Sequence, residues 1–282
     1  MIPFYKMHGT GNDFILIDNT SGEVDSSNYA FFKRICRRHT GIGADGVMLL
    51  EKSEVADFRL QFYNADGFPA GMCGNGSRCA VWLAYQLKVA PKKCEFEIEQ
   101  TLYQGEVLTG NLVQIRMKSP KIIRSQDKLK PLLTAPFQDG IWVEVGVPHL
   151  VLTGNFSMEN LDIEYWGRYF RNHPEFQPSG TNVIFIEPDK IGISLRARAY
   201  ERGVEQETLG CGTGAIAAVF YLFNNNRQIE SPAFVTYPGG LLSINFSPAF
   251  KRVFLIGQVV LVYTGQLNQG YFEEDIMNPY IP

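Results

Sequence analysis

The sequence has little of what metal centres, disulfide scaffolds, membrane spans and nucleic-acid-binding surfaces require. Its five cysteines have no regular spacing, no C-x-x-C pair occurs, and only four histidines are present. This argues against a disulfide framework and against a bound metal. The net charge is only −3, so we expect neither nucleic acid nor a membrane as partner. No apolar run approaches the roughly 20 residues that span a bilayer. Because the first residues also lack a signal-peptide pattern, we expect a cytoplasmic protein.

Short strands alternate with two helices that are apolar on nearly every side. The first apolar helix is predicted at Ser77–Leu87 and the second begins after Cys211. Helices of this kind are normally buried. A further amphipathic helix is predicted at Asn28–Arg38. Predicted strands lie at Phe4–Met7, Phe14–Asp18, Val47–Glu51, Phe58–Tyr63, Trp142–Val145, Leu150–Leu152, Asn182–Ile186, Ile193–Tyr200, Ala233–Thr236, Leu241–Phe246, Val253–Gly257 and Gln258–Tyr263.

The segment C-G-x-G followed by an apolar helix occurs twice, beginning at Cys73 and at Cys211. Similar strand-rich stretches surround both copies, which indicates an internal duplication. We therefore predict an α+β fold of two pseudo-symmetric lobes, each a curled mixed or antiparallel sheet wrapped around a central buried helix. The predicted lobes are residues 1–118 and 119–269, with a crossover at Pro120–Pro136.

A third glycine-rich segment, Gly41–Gly46, matches the G-x-G-x-x-G pattern of dinucleotide sites. Such a site needs a strand before the pattern and a helix after it. Here the predicted helix comes first and the predicted strand follows. We therefore predict a loop and no nucleotide site.

The two C-G-x-G segments place a cysteine at the start of a helix, where unpaired N–H groups and the helix dipole favour negative charge. The pKa of such a thiol is expected to fall from about 8.5 towards neutrality. Inverting a stereocentre by proton transfer needs a base on one face of the carbon and an acid on the other, and a thiolate and a thiol can serve. The helix-start N–H groups can hold a carboxylate that gains charge in the carbanion. The remaining cysteines, Cys36, Cys79 and Cys94, are expected to be buried apolar residues.

Several segments together resemble the diaminopimelate epimerases from the first strand to the last. The segments are Phe4–Phe14, Asn64–Gly67, Met72–Cys79, Tyr200–Gly203 and Glu207–Ala215. The resemblance implies an isomerase that interconverts LL- and meso-diaminopimelate at the α-carbon, for lysine and peptidoglycan precursor synthesis. It also implies that no cofactor is used, that the protein is a homodimer, and that residues 270–282 return to the first lobe.

The resemblance further implies which residues form the site. Cys73 and Cys211 are the acid/base pair, with Glu201 and His149 beside the reacting centre. The residues implied to bind the reacting α-carboxylate are Gly74, Asn75, Gly212 and Thr213. Those implied to bind the distal end of the amino-acid substrate are Asn12, Asn64, Asn182, Glu201 and Arg202. From the residues alone, Arg202 can also be a surface ion-pair residue and Asn64 a turn residue.

Three positions depart from the family pattern. Val147 replaces the usual asparagine of Asn-Pro-His, Gly46 replaces the usual glutamine of Gly-Ala-Asp-Gln, and Gly210 replaces an alanine. Two amides that would contact the distal end of the substrate are thus missing. We therefore expect the activity to extend to other amino acids such as glutamate.

Three alternatives remain from the sequence. A proline-racemase-like enzyme also uses two cysteines, but its first segment usually reads C-G-H-G, where this chain has Asn75. A related isomerase that lacks one or both cysteines is disfavoured because both are present. A non-catalytic ligand-binding protein on the same fold is disfavoured by the presence of both cysteines together with Glu201 and His149.

Overall fold

The computed structural model describes residues 1–189, 194–225 and 229–268, and the chain divides into two compact units. The first unit contains Met1–Gly9, Asp13–Val113 and the described residues from Val259 to Asn268. The second contains Thr10–Asn12 and Gln114–Gln258. The boundary between the lobes was predicted at 118/119, whereas the two units divide between Val113 and Gln114. The predicted return of residues 270–282 lies outside the described residues.

Strands make up most of the regular structure. They are β1 (Ile2–Gly9), β2 (Asn12–Asp18), β3 (Gly46–Glu51), β4 (Phe58–Asn64), β5 (Pro69–Ala70), β6 (Lys93–Ile98), β7 (Thr101–Thr109), β8 (Leu112–Met117), β9 (Lys121–Arg124), β10 (Phe137–Val145), β11 (Val147–Gly154), β12 (Asn182–Pro188), β13 (Ser194–Glu201), β14 (Gln206–Thr208), β15 (Ala233–Tyr237), β16 (Gly240–Phe246) and β17 (Val253–Leu267). The α-helices are α1 (Tyr29–Cys36), α2 (Gly74–Gln86), α3 (Gln126–Leu129), α4 (Ile163–Arg171) and α5 (Gly212–Asn224), with 3-10 turns at Lys130–Leu132, Pro174–Phe176 and Pro248–Phe250.

The first unit is a mixed sheet built around α2. β2 is parallel to β3, which is antiparallel to β4; β4 is antiparallel to β5 and parallel to β6, and β6 is antiparallel to β7. α2 contacts β1, β3 and β7, so its apolar side chains are enclosed by strands. Successive strand residues face opposite sides of a sheet. A second apolar cluster therefore forms where α1 packs Phe31, Phe32 and Ile35 with Ile15 and Ile17.

The second unit repeats this plan around α5. β11 is parallel to β12, which is antiparallel to β13; β13 is antiparallel to β14 and parallel to β15, and β15 is antiparallel to β16. α5 contacts β10, β11, β12, β13, β15 and β16. α4 takes the place of α1 and buries Phe170 with Leu152 and Phe185. The predicted duplication and the α+β fold with a buried helix in each half are confirmed.

Several predicted element limits are wrong. α2 begins at Gly74 rather than at Ser77, because Cys73 is its N-cap. The predicted strands Val253–Gly257 and Gln258–Tyr263 form one 15-residue strand, β17, since Gly257 continues the pairing with β16 opposite Leu242. The segment Pro120–Pro136, predicted as a crossover, contains β9 and α3. The first residue of the predicted strand Ile193–Tyr200 lies outside the described residues. No helix in the described ranges is both long enough and apolar enough to cross a membrane.

Candidate active site

The two predicted catalytic cysteines occupy matching backbone positions in the two units. Cys73 is the N-cap of α2 with φ −115° and ψ 117°, and Cys211 is the N-cap of α5 with φ −113° and ψ 109°. Each carbonyl accepts the first helical hydrogen bond, from Ser77 at 2.8 Å and from Ala215 at 2.9 Å. Both thiols therefore stand at the electropositive end of a buried 13-residue helix.

The second glycine of each C-G-x-G segment is required by packing. A Cβ on Gly76 would overlap the Met48 side chain on β3. A Cβ on Gly214 would lie 2.5 Å from Cδ1 of Ile184 on β12. The glycines thus bring each cysteine-bearing helix close to the corresponding strand of its own sheet.

Cys211 lies next to a carboxylate. Its Sγ donates a 3.3 Å hydrogen bond to Oε2 of Glu201, whose Oε1 accepts a 2.5 Å bond from the Thr208 hydroxyl. Burial raises the pKa of Cys211 well above its usual value, and the Glu201 charge raises it further; the Gly214 backbone and the Thr213 hydroxyl act in the opposite direction. The prediction of a lowered pKa is wrong for this thiol, because burial and a carboxylate neighbour outweigh the start of the helix.

Cys73 has a different electrostatic environment. It is half-buried, and α2 also carries the fully buried Arg78, which donates a 3.0 Å hydrogen bond to Oδ1 of Asn75. Burial lowers the pKa of Arg78 to about 10, while Cys79 and Cys73 raise it. The guanidinium therefore remains a cation at neutral pH. An attraction that favours charged Arg78 equally favours the thiolate form of Cys73.

A group of predicted substrate-binding residues meets in the second unit around Asn182. Oδ1 of Asn182 accepts a 2.8 Å hydrogen bond from the Arg202 backbone N–H, and Nδ2 of Asn182 lies 3.5 Å from Nδ1 of His149. His149 is completely buried, and Nε2 has no hydrogen-bond partner in the described part of the chain. Burial, and then the Arg202 charge, lower the pKa of His149 to about 3, so the imidazole is neutral. The Arg202 guanidinium donates to the Ser179 carbonyl at 2.8 Å.

The two remaining predicted asparagines are in different units. Asn12 belongs to the segment Thr10–Asn12 of the second unit, where Gly210 packs so closely against Thr10 that a Cβ would lie 2.7 Å from it. Asn64 ends β4 in the first unit, is exposed, and closes a turn by accepting a 2.9 Å hydrogen bond from Gly67. The replacement of alanine by Gly210 follows from that close approach.

The structure also explains the glycine at position 46. A Cβ on Gly46 would lie 2.5 Å from the Phe62 ring and 2.5 Å from the Tyr63 carbonyl on β4. The backbone therefore has no room for a side chain at this position. Val147, at the other departure, is half-buried at the start of β11.

The predicted loop at Gly41–Gly46 is confirmed up to residue 45, and the cysteines outside the site are buried as predicted. Cys36, Cys79 and Cys94 are buried, and burial raises the pKa of each to about 12. The loop is tied to β1 and β2, because the Gly43 carbonyl accepts a hydrogen bond from Lys6 and the Asp45 N–H donates a 2.9 Å hydrogen bond to the Asp13 carbonyl.

Three polar residues near the cysteines were not predicted from the sequence. Thr208 lies three positions before Cys211 within a segment already singled out. Arg78 is a lone charge in an otherwise apolar helix, which is a signal that the sequence does contain. Tyr237 gives no such signal, because an aromatic residue in a strand is normally read as core.

The model of the diaminopimelate epimerase family matches residues 4–120 and 141–265 of the chain. A protein named diaminopimelate epimerase from Aquifex aeolicus is 38% identical over 283 residues, which cover 96% of this chain and 99% of that protein. The chain belongs to the diaminopimelate epimerase family. Another protein of that name, from Chlorobaculum tepidum, is 39% identical and is matched over 93% of this chain and 99% of its own length.

Solved structures with low sequence identity share the fold of this epimerase family member. A phenazine biosynthesis protein of the PhzF family from Bacillus anthracis has a TM-score of 0.72 at 13% identity, with 95% of this chain and 99% of that chain covered. A probable proline racemase from Agrobacterium radiobacter has a TM-score of 0.67 at 14% identity, with 100% and 95% covered. At these identities the likeness establishes the fold alone.

Proposed function

We propose that the chain interconverts LL- and meso-diaminopimelate by proton transfer at the α-carbon, with Cys73 and Cys211 as the proton carriers. The observation that carries this proposal is the pair of cysteine N-caps, one in each repeated unit and in nearly the same backbone conformation. Family membership supports the substrate. The proline-racemase-like alternative shares the fold and the use of two cysteines, but the family model that matches the chain is that of the diaminopimelate epimerases.

The neighbouring charges support an assignment of the resting protonation states. Buried Arg78 favours the thiolate of Cys73, and Glu201 favours the protonated thiol of Cys211. Cys73 would then accept the α-proton and become a thiol, while Cys211 delivers its proton to the opposite face and becomes a thiolate. The reverse reaction uses the opposite assignment, so the two thiols carry one proton between them in either direction.

The remaining residues hold the substrate. The first turns of α2 and α5, with Gly74, Asn75, Gly212 and Thr213, offer N–H groups to the α-carboxylate as it gains charge. The residues that would bind the distal end are Asn12, Asn64, Asn182 and Arg202. Glu201 acts through Cys211, and neutral His149 acts by orienting Asn182. This chemistry is carried by the chain's own side chains, and we propose no cofactor.

The test is α-proton exchange and epimerisation of LL-diaminopimelate by the purified protein in deuterated water. Cys73→Ala and Cys211→Ala should each reduce epimerisation by at least about a hundredfold, because each face of the carbon needs its own carrier. Cys94→Ala removes a buried thiol distant in sequence and should retain normal turnover. Near-normal turnover by either of the first two variants would refute the mechanism. Exchange with proline but not with diaminopimelate would favour the racemase alternative, and no exchange with any amino acid would favour a binding protein.

We also propose a cytoplasmic homodimer. All five cysteines are described and none forms a disulfide, which fits a reducing compartment.

β17 exposes consecutive apolar residues from Val260 to Tyr263, each 37–53% accessible. Monomers seldom leave such a strip in water, and a second copy of the chain would cover it. Light scattering should give the mass of a dimer, and Val262→Asp should give a monomer. A wild-type monomer at micromolar concentration would refute this assignment.

A further inference from the structure

Tyr237 carries a buried hydroxyl that the proposed reaction does not use. It ends β15 in the second unit and is only 3% exposed. Its hydroxyl has no hydrogen-bond partner within the residues that the structure describes. Buried polar groups are nearly always paired, and leaving one unpaired destabilises the folded state. Phenylalanine would fill the same space without that loss, so the hydroxyl is a candidate for a functional role.

The turn that follows Tyr237 is fixed against the segment that leads into Cys211. The Gly239 N–H donates a 2.7 Å hydrogen bond to the Leu209 carbonyl, two residues before Cys211. Gly239 and Gly210 also pack against Thr10 so closely that neither position admits a Cβ. Tyr237 is thus held by a short, rigid connection to the start of α5.

β15, which Tyr237 ends, also pairs with β13, the strand that carries Glu201. β15 runs parallel to β13, with Thr236 opposite Arg196, and β13 ends at Glu201. Burial raises the pKa of Tyr237 well above its usual value, and the negative charges of a Cys211 thiolate and of Glu201 raise it further. The phenol therefore keeps its proton throughout the working pH range and remains a hydrogen-bond donor.

We propose that Tyr237 is a positioning residue whose hydroxyl donates a hydrogen bond to the charge that forms on Cys211 when this thiol releases its proton. The inference rests on the proposed function, in which the Cys211 proton passes to the substrate carbanion and the electron pair of the S–H bond stays on sulfur. The new thiolate then lies beside the Glu201 carboxylate in a buried site. The Tyr237 proton stays on its oxygen and offsets this accumulation of negative charge.

The test compares Tyr237→Phe with Tyr221→Phe, which removes the hydroxyl of a buried tyrosine on α5. Both are made in a Cys73→Ala background labelled with ¹³C at the cysteine β-carbons, whose chemical shifts report each thiol separately. The signals of the buried Cys36, Cys79 and Cys94 should be the same in both variants, so they serve as internal references. Tyr237→Phe should lower the thiolate fraction of Cys211 at a fixed alkaline pH about tenfold, the size expected for one hydrogen bond to a charge. Tyr221→Phe should leave it unchanged.

Two further measurements separate this role from a structural one. With both cysteines present, Tyr237→Phe should lower kcat about tenfold with little change in KM, while its melting temperature is equal to or above that of the wild type. An unchanged Cys211 titration, or a lower melting temperature with normal kcat, would overturn the proposal. The titration does not depend on turnover. Failure of the wild-type protein to turn over diaminopimelate would therefore count against the proposed function and not against the pairing of Tyr237 with Cys211.

Discussion

The Cys211 thiol donates its hydrogen bond to Glu201 across 3.3 Å, and the Thr208 hydroxyl holds the other oxygen of the same carboxylate at 2.5 Å. A carboxylate fixed in this way opposes ionisation of the thiol, because two negative charges would then share a buried site. Glu201 thus keeps Cys211 in the form that can give up a proton.

Glu201→Gln should lower the pKa of Cys211, because it removes the charge and retains the size of the side chain. We expect the alkaline limb of the kcat profile to move to lower pH by about one unit or more, where one unit corresponds to about 1.4 kcal/mol. Activity should therefore be lost first at high pH and partly recovered at lower pH. The measurement is the rate of epimerisation across the pH range.

Glu187→Gln is a suitable control, because Glu187 pairs with Arg196 at the surface of the same unit. Its profile should match that of the wild type. An alkaline limb that stays in place in Glu201→Gln would show that the carboxylate does not govern the ionisation of Cys211.

The sequence contains enough to predict the duplicated fold, because both the motif and the strand pattern around it repeat. The strand pairings confirm this: β4 beside β6 in the first unit corresponds to β13 beside β15 in the second. The residues at which individual strands and helices begin and end were less predictable. β17 continues through Gly257 because a neighbouring strand pairs with it, and that pairing is invisible in a local pattern.

The cysteines were predictable from the sequence, whereas the pKa of Cys211 was not. The helix start is a local feature that favours a thiolate in both units. Burial and Glu201, which lies ten residues earlier at the end of β13, reverse that preference for Cys211. Likewise, Gly76 is a packing requirement set by Met48, a residue on a distant strand that the local motif does not reveal.

Asp13 should make the folding stability of the protein depend on pH in the acid range. Burial alone would raise the pKa of Asp13, but hydrogen bonds from Arg38 and Lys6 outweigh it and lower the pKa to about 2. A carboxyl with a lowered pKa stabilises the folded state above its unfolded pKa of about 4, and that stability is lost as the pH falls towards 2. Because Arg38 is largely exposed, we expect solvent to reduce the effect.

Asp13→Asn should therefore melt a few degrees lower than the wild type at neutral pH and show a flatter decline in melting temperature between about pH 4 and pH 2. Asp127→Asn, at an exposed position on α3, serves as the control. Calorimetry at several pH values gives both quantities. Equal slopes for wild type and Asp13→Asn in the acid range would contradict the assignment.

The packing of the two helix starts predicts a ranking of glycine substitutions. Gly214→Ala should destabilise more than Gly76→Ala, because Ile184 is branched and stiff whereas the end of Met48 is flexible and can move. Overpacking of this kind costs about 1–3 kcal/mol. Gly71→Ala, where a Cβ meets nothing within 4 Å, should melt like the wild type. Denaturant unfolding measures all three, and a cost for Gly71→Ala equal to the others would show that packing is not the cause.

The two missing amides predict a relaxed substrate range. In a site built for diaminopimelate, polar groups that face the distal end are left unpaired when a shorter amino acid binds, and that penalty provides selectivity. Val147 and Gly46 offer no side-chain amide, so fewer polar groups of the site are left without a hydrogen-bond partner when a shorter substrate binds. Each hydrogen bond to a charged group is worth about 1.5–3 kcal/mol, or about ten- to a hundredfold in discrimination. We therefore expect measurable α-proton exchange with L-glutamate in deuterated water, beside the main activity.

Position 147 provides the sharper test of this relaxed selectivity. Gly46→Gln would place a side chain against Phe62 and the Tyr63 carbonyl, so a loss of activity there would report a clash rather than selectivity. Val147 is half-buried at the start of β11, and Val147→Asn adds an amide at nearly the same size. Val147→Asn should raise the ratio of diaminopimelate to glutamate exchange about tenfold, whereas Val147→Ala, which adds no polar group, should not. The absence of glutamate exchange above an enzyme-free blank, together with an unchanged ratio in Val147→Asn, would mean that other groups in the site have replaced the two amides.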